Sequence, residues 1–209
     1  MNADRLRRWV VAAAERLALN RDELTDLDAA AGDGDLGVTV ASGATEVATA
    51  LSALEPSTPT AAVLRAAGAA FARGNPSSFA ALTGAGLLAA AATLNDLDGL
   101  DRASLVTALQ AAADRIAERG RSTVGDRTML DALVPSIDAL RKAPAGLDRG
   151  LEAMISASRN GVSATAGMTP ARGRAQWVGE RAIGVPDGGA TAYLRFLEAL
   201  AETEPSVAS

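Results

Sequence analysis

Apolar residues recur at helical spacing along most of the chain, and no segment shows the alternation typical of a β-strand. In the first such stretch, 3–19, one face carries Leu6, Val10, Ala13 and Leu17. Seven further stretches keep this period, at 36–54, 60–73, 79–94, 104–119, 130–142, 147–162 and 188–202. Short connections between them indicate neighbouring helices that run up and down. The sequence therefore predicts one all-α domain over 1–209, an antiparallel bundle or barrel of about eight helices, with a loose tail over 205–209.

Two connections depart from this pattern. Residues 20–35 hold Leu24 and Leu27 and predict a short turn that leads into an acidic loop. The stretch 165–189 is rich in Gly and Arg, and loops of this length are usually functional or disordered. Because it contains Trp177, Arg172 and Arg174, we interpret it as an ordered lid whose guanidinium groups suit phosphate oxygens. The alternative is a set of surface arginines that pair with Asp or Glu.

The acidic loop places Asp28, Asp33 and Asp35 within eight residues and sets glycines among them. Carboxylates this close raise each other's pKa unless a cation lies between them, and their oxygens suit Mg²⁺ or Ca²⁺. The spacing does not match an EF-hand, since Val38 and Ala44 occupy the positions of its glycine and last glutamate. Mg²⁺ shared with a phosphate ligand is the favoured interpretation, and the next helix would point its N-terminus at that phosphate. The alternative is a solvated Asp/Gly turn that caps this helix.

Composition narrows the functional classes. A net charge of −5 and the lack of basic runs argue against a nucleic-acid or membrane surface. The chain has no Cys and no His, which excludes disulfides, thiolate zinc sites, Ser-His-Asp triads and phosphohistidine on this chain. Acid–base work would fall to carboxylates, Lys or a partner. The apolar run at 9–14 is too short for a signal peptide, so a cytoplasmic location is expected.

Four separated segments together resemble one family. They are Leu27-Asp-Ala-Ala-Ala-Gly-Asp-Gly-Asp-Leu-Gly37, Gly125-Asp-Arg-Thr-Met-Leu-Asp-Ala-Leu-Val-Pro135, Gly173-Arg-Ala-Gln-Trp-Val-Gly-Glu-Arg-Ala-Ile-Gly184 and Asp187-Gly-Gly-Ala-Thr191. In this order they are similar to the nucleotide-binding L subunit (DhaL-like) of dihydroxyacetone kinases. The resemblance implies an eight-helix antiparallel barrel with ADP or ATP and Mg²⁺ at one end.

The resemblance also implies roles for single residues. Two Mg²⁺ ions would be held by Asp28, Asp33 and Asp35. Main-chain contacts to the nucleotide would come from Leu36, Gly37, Val38 and Thr39, and the small-residue phosphate loop from Ser77 and Ser78. Adjacent hydroxyls at a helix start are more often caps than ligands. The adenine would be bordered by Gly120 and Met129, and the nucleotide closed over by Arg174, Asp187, Gly188 and Gly189. The three aspartates and Arg174 would act in phosphoryl transfer.

The chain departs from the family pattern at several positions. Leu36 and Val185 stand where the family has His, Thr39 stands where it favours Asn, and the phosphate loop reads Asn75-Pro-Ser-Ser78. Erythrulose or a branched tetrulose is therefore as compatible a substrate as dihydroxyacetone.

In this family the substrate is held by a His on a separate K subunit or domain. A chain without His would then be half of an enzyme and would require such a partner. The phosphoryl donor could be free ATP or a phosphohistidine carrier of the sugar phosphotransferase system that recharges a bound ADP. A homodimer is compatible with the sequence as well.

Two other functions fit the same residues. The first is a non-catalytic module that binds nucleotide and reports it to a partner such as a transcriptional regulator. The second is the nucleotide domain of fatty-acid kinases, in which the Ala-lined barrel would hold a lipid-like molecule; those chains are normally much longer.

Overall fold

The computed structural model describes residues 1–94, 99–170 and 183–203. The helices in these residues are α1 Ala3–Ala18, α2 Arg21–Ala31, α3 Leu36–Ser52, α4 Thr60–Gly74, α5 Ser78–Ala92, α6 Arg102–Gly120, α7 Leu130–Lys142, α8 Leu147–Thr165 and α9 Gly188–Glu202. The described part has no β-strand beyond a single-residue bridge between Asn2 and Gly99. The all-α prediction is confirmed. The tail over 205–209 lies outside the described residues, and the single domain over 1–209 stays a prediction.

Eight of the described helices form a closed ring. In this ring α1 packs against α3, each of α3 to α8 packs against the next helix in the chain, and α9 packs against α1. The predicted up-and-down barrel is therefore confirmed. Among the described helices, none combines the length and apolar character that a bilayer-spanning segment requires.

Small residues let the ring close around an interior space. An apolar cavity of about 280 Å³ lies inside it, lined among others by Trp9, Val40, Phe71, Ile116 and Leu197 from five different helices. Helices α4 and α5 meet at their backbones, because a Cβ on Gly68 would lie only 2.9 Å from the carbonyl oxygen of Gly84. The low aromatic content thus goes with helices that pack closely through Ala and Gly.

The expectation of a short turn containing Leu24 and Leu27 is wrong, because 21–31 forms helix α2. This helix lies outside the ring, against α3 and α9. Only Leu24 and Ala31 are buried on it, too few for the apolar period to be read from the sequence. Asp22 and Glu23 lie in its first turn, where negative charge favours a helix N-terminus. Tertiary packing therefore selects the helix.

Two contacts hold α2 in place. A Cβ on Gly37 would lie 2.0 Å from the carbonyl oxygen of Arg21 and 2.2 Å from Thr25 Oγ1, so the first turn of α3 accepts α2 only with glycine there. On the other side, the Arg195 side chain of α9 donates from Nε to Glu23 Oε2 at 2.7 Å. These contacts fix the orientation of α2 and therefore the position of its last turn.

The N-termini of α3, α5, α7 and α9 meet at one end of the ring, here called the mouth. A Cβ on Gly188 would lie 2.6 Å from Leu36 Cδ2 at the start of α3. A Cβ on Gly189 would lie 3.4 Å from the Phe79 ring and 3.6 Å from the Met129 nitrogen. Since the positive end of each helix dipole is at its N-terminus, the mouth favours anions.

The α2–α3 contact predicts the effect of Gly37→Ala. The added methyl group must displace α2, which we expect to lower the free energy of unfolding by about 1–3 kcal/mol. Urea denaturation measures this loss, and hydrogen exchange should become faster at the α2 amides. Val38→Ala alters the exposed neighbour on the same turn and should leave both unchanged. A Gly37→Ala protein as stable as wild type would contradict the described contact.

Candidate functional site

The mouth brings the three acidic residues of the 28–37 segment together. Asp28 lies in the last turn of α2, Asp33 in the following loop, and Asp35 directly before α3. One carboxylate oxygen of each lies within 4.8 Å of those of the other two. Asp33 is exposed and the other two are half-buried. Three hard oxygen donors thus converge on one point.

Glycines make this convergence sterically feasible. A Cβ on Gly32 would lie 2.5 Å from Asp28 Oδ1, so a larger residue there would push the carboxylate away. Gly34 has a φ of +76°, a left-handed conformation that glycine adopts without strain. Asp28 Oδ2 accepts a hydrogen bond of 3.2 Å from the Leu36 amide. Asp28 thus also caps α3, whereas the Asp35 side chain makes no capping bond.

The electrostatics of the cluster suit a divalent cation. Burial, and next the negative charge of Asp28, raise the pKa of Asp35 above its ordinary value. A cation among the three carboxylates would remove this repulsion. Carboxylate oxygens are the ligands that Mg²⁺ and Ca²⁺ prefer, so the residues present fit such an ion.

The first turn of α3 offers fewer main-chain donors than the resemblance implies. The Leu36 amide donates to Asp28, and the Thr39 amide donates to the Asp35 carbonyl oxygen at 2.9 Å. Gly37 and Val38 are the other first-turn residues, where helix geometry leaves amides without an intrahelical acceptor. Main-chain contacts to an anion at α3 are therefore best assigned to Gly37 and Val38.

The loop between α4 and α5 forms the adjacent wall of the mouth. The Asn75 side-chain nitrogen donates to Thr39 Oγ1 at 3.1 Å, which fastens this loop to α3. Ser77 Oγ accepts from the Ala80 amide at 3.1 Å, so Ser77 is the N-cap of α5, as adjacent hydroxyls at a helix start usually are. Ser78 is exposed at the first position of α5.

Four further predicted residues lie around the starts of α7 and α9. Met129 directly precedes α7, while Gly188 and Gly189 form the first turn of α9 and adjoin Leu36 and Met129. Gly120 is the last residue of α6, which leads into the same connection as Met129. Asp187 caps α9 by accepting from the Ala190 amide at 2.7 Å.

Sequence reasoning missed two buried charges at this end. Arg127 is 2% exposed and donates from Nη2 to the Val185 carbonyl oxygen at 2.8 Å. Asp131, also 2% exposed, accepts from the Gly125 amide at 2.5 Å and the Thr128 amide at 2.7 Å. Both lie in the second segment that carries the family resemblance. Apolar periodicity cannot identify them, because it registers only apolar positions as buried.

Residues 171–182, the middle of the predicted lid over 165–189, fall outside the described residues. Arg172, Arg174, Trp177 and Arg181 all lie within 171–182. The flanking described residues meet at the mouth, since the Gly184 amide donates to the Ala166 carbonyl oxygen at 2.8 Å.

Asp187 supplies a prediction on pH. Removal from water raises its pKa to about 6; the Ala190 amide and the Arg127 charge oppose this rise, and Asp131 adds to it. In the unfolded chain the pKa of this carboxyl is about 3.9, so the folded state holds the proton more tightly. The group's contribution to stability is therefore fully present below about pH 4 and is lost as the pH rises through about 6.

Asp187→Asn tests this, because Asn caps a helix about as well as Asp but cannot ionise. The unfolding free energy of wild type minus that of the variant should fall by up to about 3 kcal/mol between roughly pH 4 and 6.5, then level off. Urea denaturation at stepped pH measures it. A difference that stayed constant with pH would contradict the raised pKa.

The chain is similar in sequence to kinases and kinase subunits. The chain is 36% identical over 185 residues to L-erythrulose 1-kinase of Mycolicibacterium smegmatis, covering 88% of this chain but 32% of that protein. It is 31% identical over 199 residues to the ADP-binding subunit DhaL of the PEP-dependent dihydroxyacetone kinase 1 of Listeria innocua, covering 95% and 96%. The chain thus spans about a third of the erythrulose kinase and nearly all of the DhaL subunit.

A solved structure shows the same fold. The dihydroxyacetone kinase from C. freundii, in complex with AMP-PNP and Mg²⁺, matches with a TM-score of 0.75 and 28% identity over 95% of this chain and 33% of that one. The model of the DAK2 domain matches residues 30–202, which include Asp33, Asp35 and all of α3 to α9. The chain therefore belongs to the DAK2 domain family, as the four sequence segments indicated.

Proposed function

We propose that this chain is the Mg²⁺- and nucleotide-binding unit of a ketose kinase. It would bind ADP or ATP at the mouth and take part in phosphoryl transfer to a ketose held on a separate K subunit or domain. One observation carries the proposal: three carboxylate oxygens within 4.8 Å of one another lie at the start of α3. That start belongs to the end where four helix N-termini meet, and this arrangement suits a metal-bound polyphosphate.

Asp28, Asp33 and Asp35 are the proposed metal ligands, for two Mg²⁺ ions as the resemblance implies. When bound, Mg²⁺ neutralises charge on the phosphate oxygens, which is most of what phosphoryl transfer demands of a protein. The phosphates would accept hydrogen bonds from the amides of Gly37 and Val38. They would also accept hydrogen bonds from Ser77 and Ser78 at the start of α5. Because these donors are fixed by helix geometry, they need little reorganisation as charge develops.

The opposite side of the mouth would hold the nucleoside. Gly120 and Met129 are proposed to border the adenine, and the turn 187–189 to close over the nucleotide. The adjacency of Gly189 and Met129 supports placing both groups in one site. Arg174 is proposed as a further cationic contact to the phosphates, on chemical grounds alone, since it lies outside the described residues.

The substrate is proposed to be dihydroxyacetone or a related ketose such as erythrulose. The names of the relatives, erythrulose kinases and dihydroxyacetone kinase subunits, support this range. Leu36 is buried and contacts Gly188, so it fills by packing the place where the family has an imidazole. With no His in the chain, the ketose would be held by the K partner.

Either of two donors would serve this unit, which would work in the cytoplasm. Free ATP is one. The DhaL subunit of Listeria innocua is described as PEP-dependent, which supports a phosphohistidine carrier as the other.

Asp33→Asn tests the metal role. The substitution keeps the size of the side chain and removes one anionic ligand, so the affinity for Mg-ADP should fall about tenfold or more. Calorimetry measures it. Asp26→Asn, an exposed aspartate on α2 outside the cluster, is the matched control and should bind as wild type does. With Mg²⁺ chelated, all three proteins should bind ADP equally weakly. Undiminished Mg-ADP affinity in Asp33→Asn would contradict the proposed role.

The partner requirement is a separate prediction. The isolated chain should transfer no phosphoryl group from ATP to dihydroxyacetone or erythrulose, since it has no His of the kind that holds the ketose in the K subunit. Addition of a K subunit from a bacterial dihydroxyacetone kinase should start turnover, measured as ADP release. Rapid turnover by the chain alone would contradict the half-enzyme proposal. Nucleotide binding without transfer, with every donor and K subunit supplied, would favour a regulatory module.

A further inference from the structure

Arg127 is held in an unusual way for a charged residue. Its side chain is almost completely buried, and the guanidinium donates to the main chain of a different connection, at Val185. Burying an arginine costs a large part of its hydration and is tolerated where the charge is bonded or paired. The Arg127 charge acts on Asp187, which lies two residues beyond Val185. One side chain therefore links the α6–α7 connection to the α8–α9 connection.

The backbone at Arg127 is strained in order to make this link. Its φ is +60°, a left-handed conformation that side chains other than Asn and Asp seldom adopt. Asp131 holds it there, because its two carboxylate oxygens accept from the amides of Gly125 and Thr128, one on each side of Arg127. Strain that the surrounding bonds maintain is often associated with function.

The turn around Val185, to which Arg127 donates, makes further hydrogen bonds at the mouth. The Gly184 amide donates to the Ala166 carbonyl oxygen at 2.8 Å, and the Asp187 amide donates to Thr165 Oγ1 at 2.9 Å. These bonds tie the turn to the end of α8, while Gly189 adjoins Met129 at the start of α7. The Arg127 bond to Val185 joins the same turn to the α6–α7 connection, two residues before Met129.

We propose that Arg127 is a positioning residue that sets the distance between the turn 185–189 and Met129, and so shapes the nucleoside side of the mouth. The inference rests on the proposed function, because Met129 and the turn 187–189 are the residues proposed to enclose the nucleotide. Arg127 acts through the main chain of Val185 and touches no reacting atom. The acidic cluster lies in the last turn of α2 and in the loop before α3, on other elements than this link, so loss of Arg127 affects base recognition more than metal binding.

Arg127→Asn removes the guanidinium while keeping a residue that tolerates the left-handed conformation. Arg121→Asn is the matched control, since Arg121 has a φ of +50° in the same connection but is exposed. Hydrogen exchange without nucleotide should be about tenfold faster or more at the Gly184, Asp187 and Ala190 amides of Arg127→Asn. It should be unchanged at the amides of α3, and in Arg121→Asn throughout.

Calorimetry with Mg-ADP and Mg-GDP measures the ratio of the two affinities, which a general loss of stability would leave unchanged. Wild type is expected to prefer ADP; in Arg127→Asn this preference should shrink several-fold, and Arg127→Lys, which keeps one donor, should restore part of it. Thermal unfolding shows whether each variant is folded under the conditions of the binding experiment. If Arg127→Asn does not fold, Arg127→Lys is compared with Arg121→Lys for a partial loss of the same preference.

Unchanged exchange in the turn would overturn the inference. An equal loss of affinity for Mg-ADP and Mg-GDP in Arg127→Asn would also overturn it. So would an equal effect of Arg127→Asn and Arg121→Asn on the preference for ADP, or a wild-type protein that binds both nucleotides equally well. If wild type binds no Mg-ADP at all, the proposed function fails and the positioning role fails with it. Faster exchange in Arg127→Asn with normal nucleotide discrimination overturns the positioning role alone and leaves the proposed function intact.

Discussion

Mutual repulsion among three carboxylates is the constraint on which the mouth depends. The fold holds Asp28, Asp33 and Asp35 within 4.8 Å of one another, although burial and charge already raise the pKa of Asp35. Such crowding lowers the stability of the cation-free protein, so the surrounding structure must enforce it. Gly32 gives the Asp28 carboxylate its space, and Gly37 allows α2 to lie on the first turn of α3. The positive ends of the helices at the mouth partly offset the negative charge and add donors for an anion.

The two sides of the mouth are built by different means. On the side of α2 and α3, residues close in sequence converge through a short loop and its glycines. On the side of α7 and α9, residues about sixty positions apart converge through buried charge, with Arg127 bonded to Val185 and Asp131 bonded to the loop that carries Arg127. Buried charges of this kind often specify one arrangement, even where they add little net stability. We infer that metal affinity and base selectivity are separable properties of this chain.

Sequence reasoning reached the parts of this structure that depend on local pattern. The ring helices follow from apolar period, and the acidic cluster follows from three aspartates spaced within one loop. The sequence predicts a turn where α2 forms, because the burial of α2 rests on Leu24 and Ala31 alone and its place is set by contacts to the next helix, at Gly37, and to Arg195, far along the chain. The link from Arg127 to Val185 was missed for the same reason. The resemblance implies main-chain contacts to the nucleotide at Leu36 and Thr39, and this stays a prediction; in the structure their amides donate to Asp28 and to the Asp35 carbonyl oxygen.

Helix α2 stands apart from the ring, and this has an evolutionary consequence. The ring can close without it, since α1 packs directly against α3. A substitution on α2 would therefore alter the proposed cation site, while the contacts between ring helices that enclose the apolar cavity stay in place. In a protein built this way, ion preference would be able to evolve without a change in architecture.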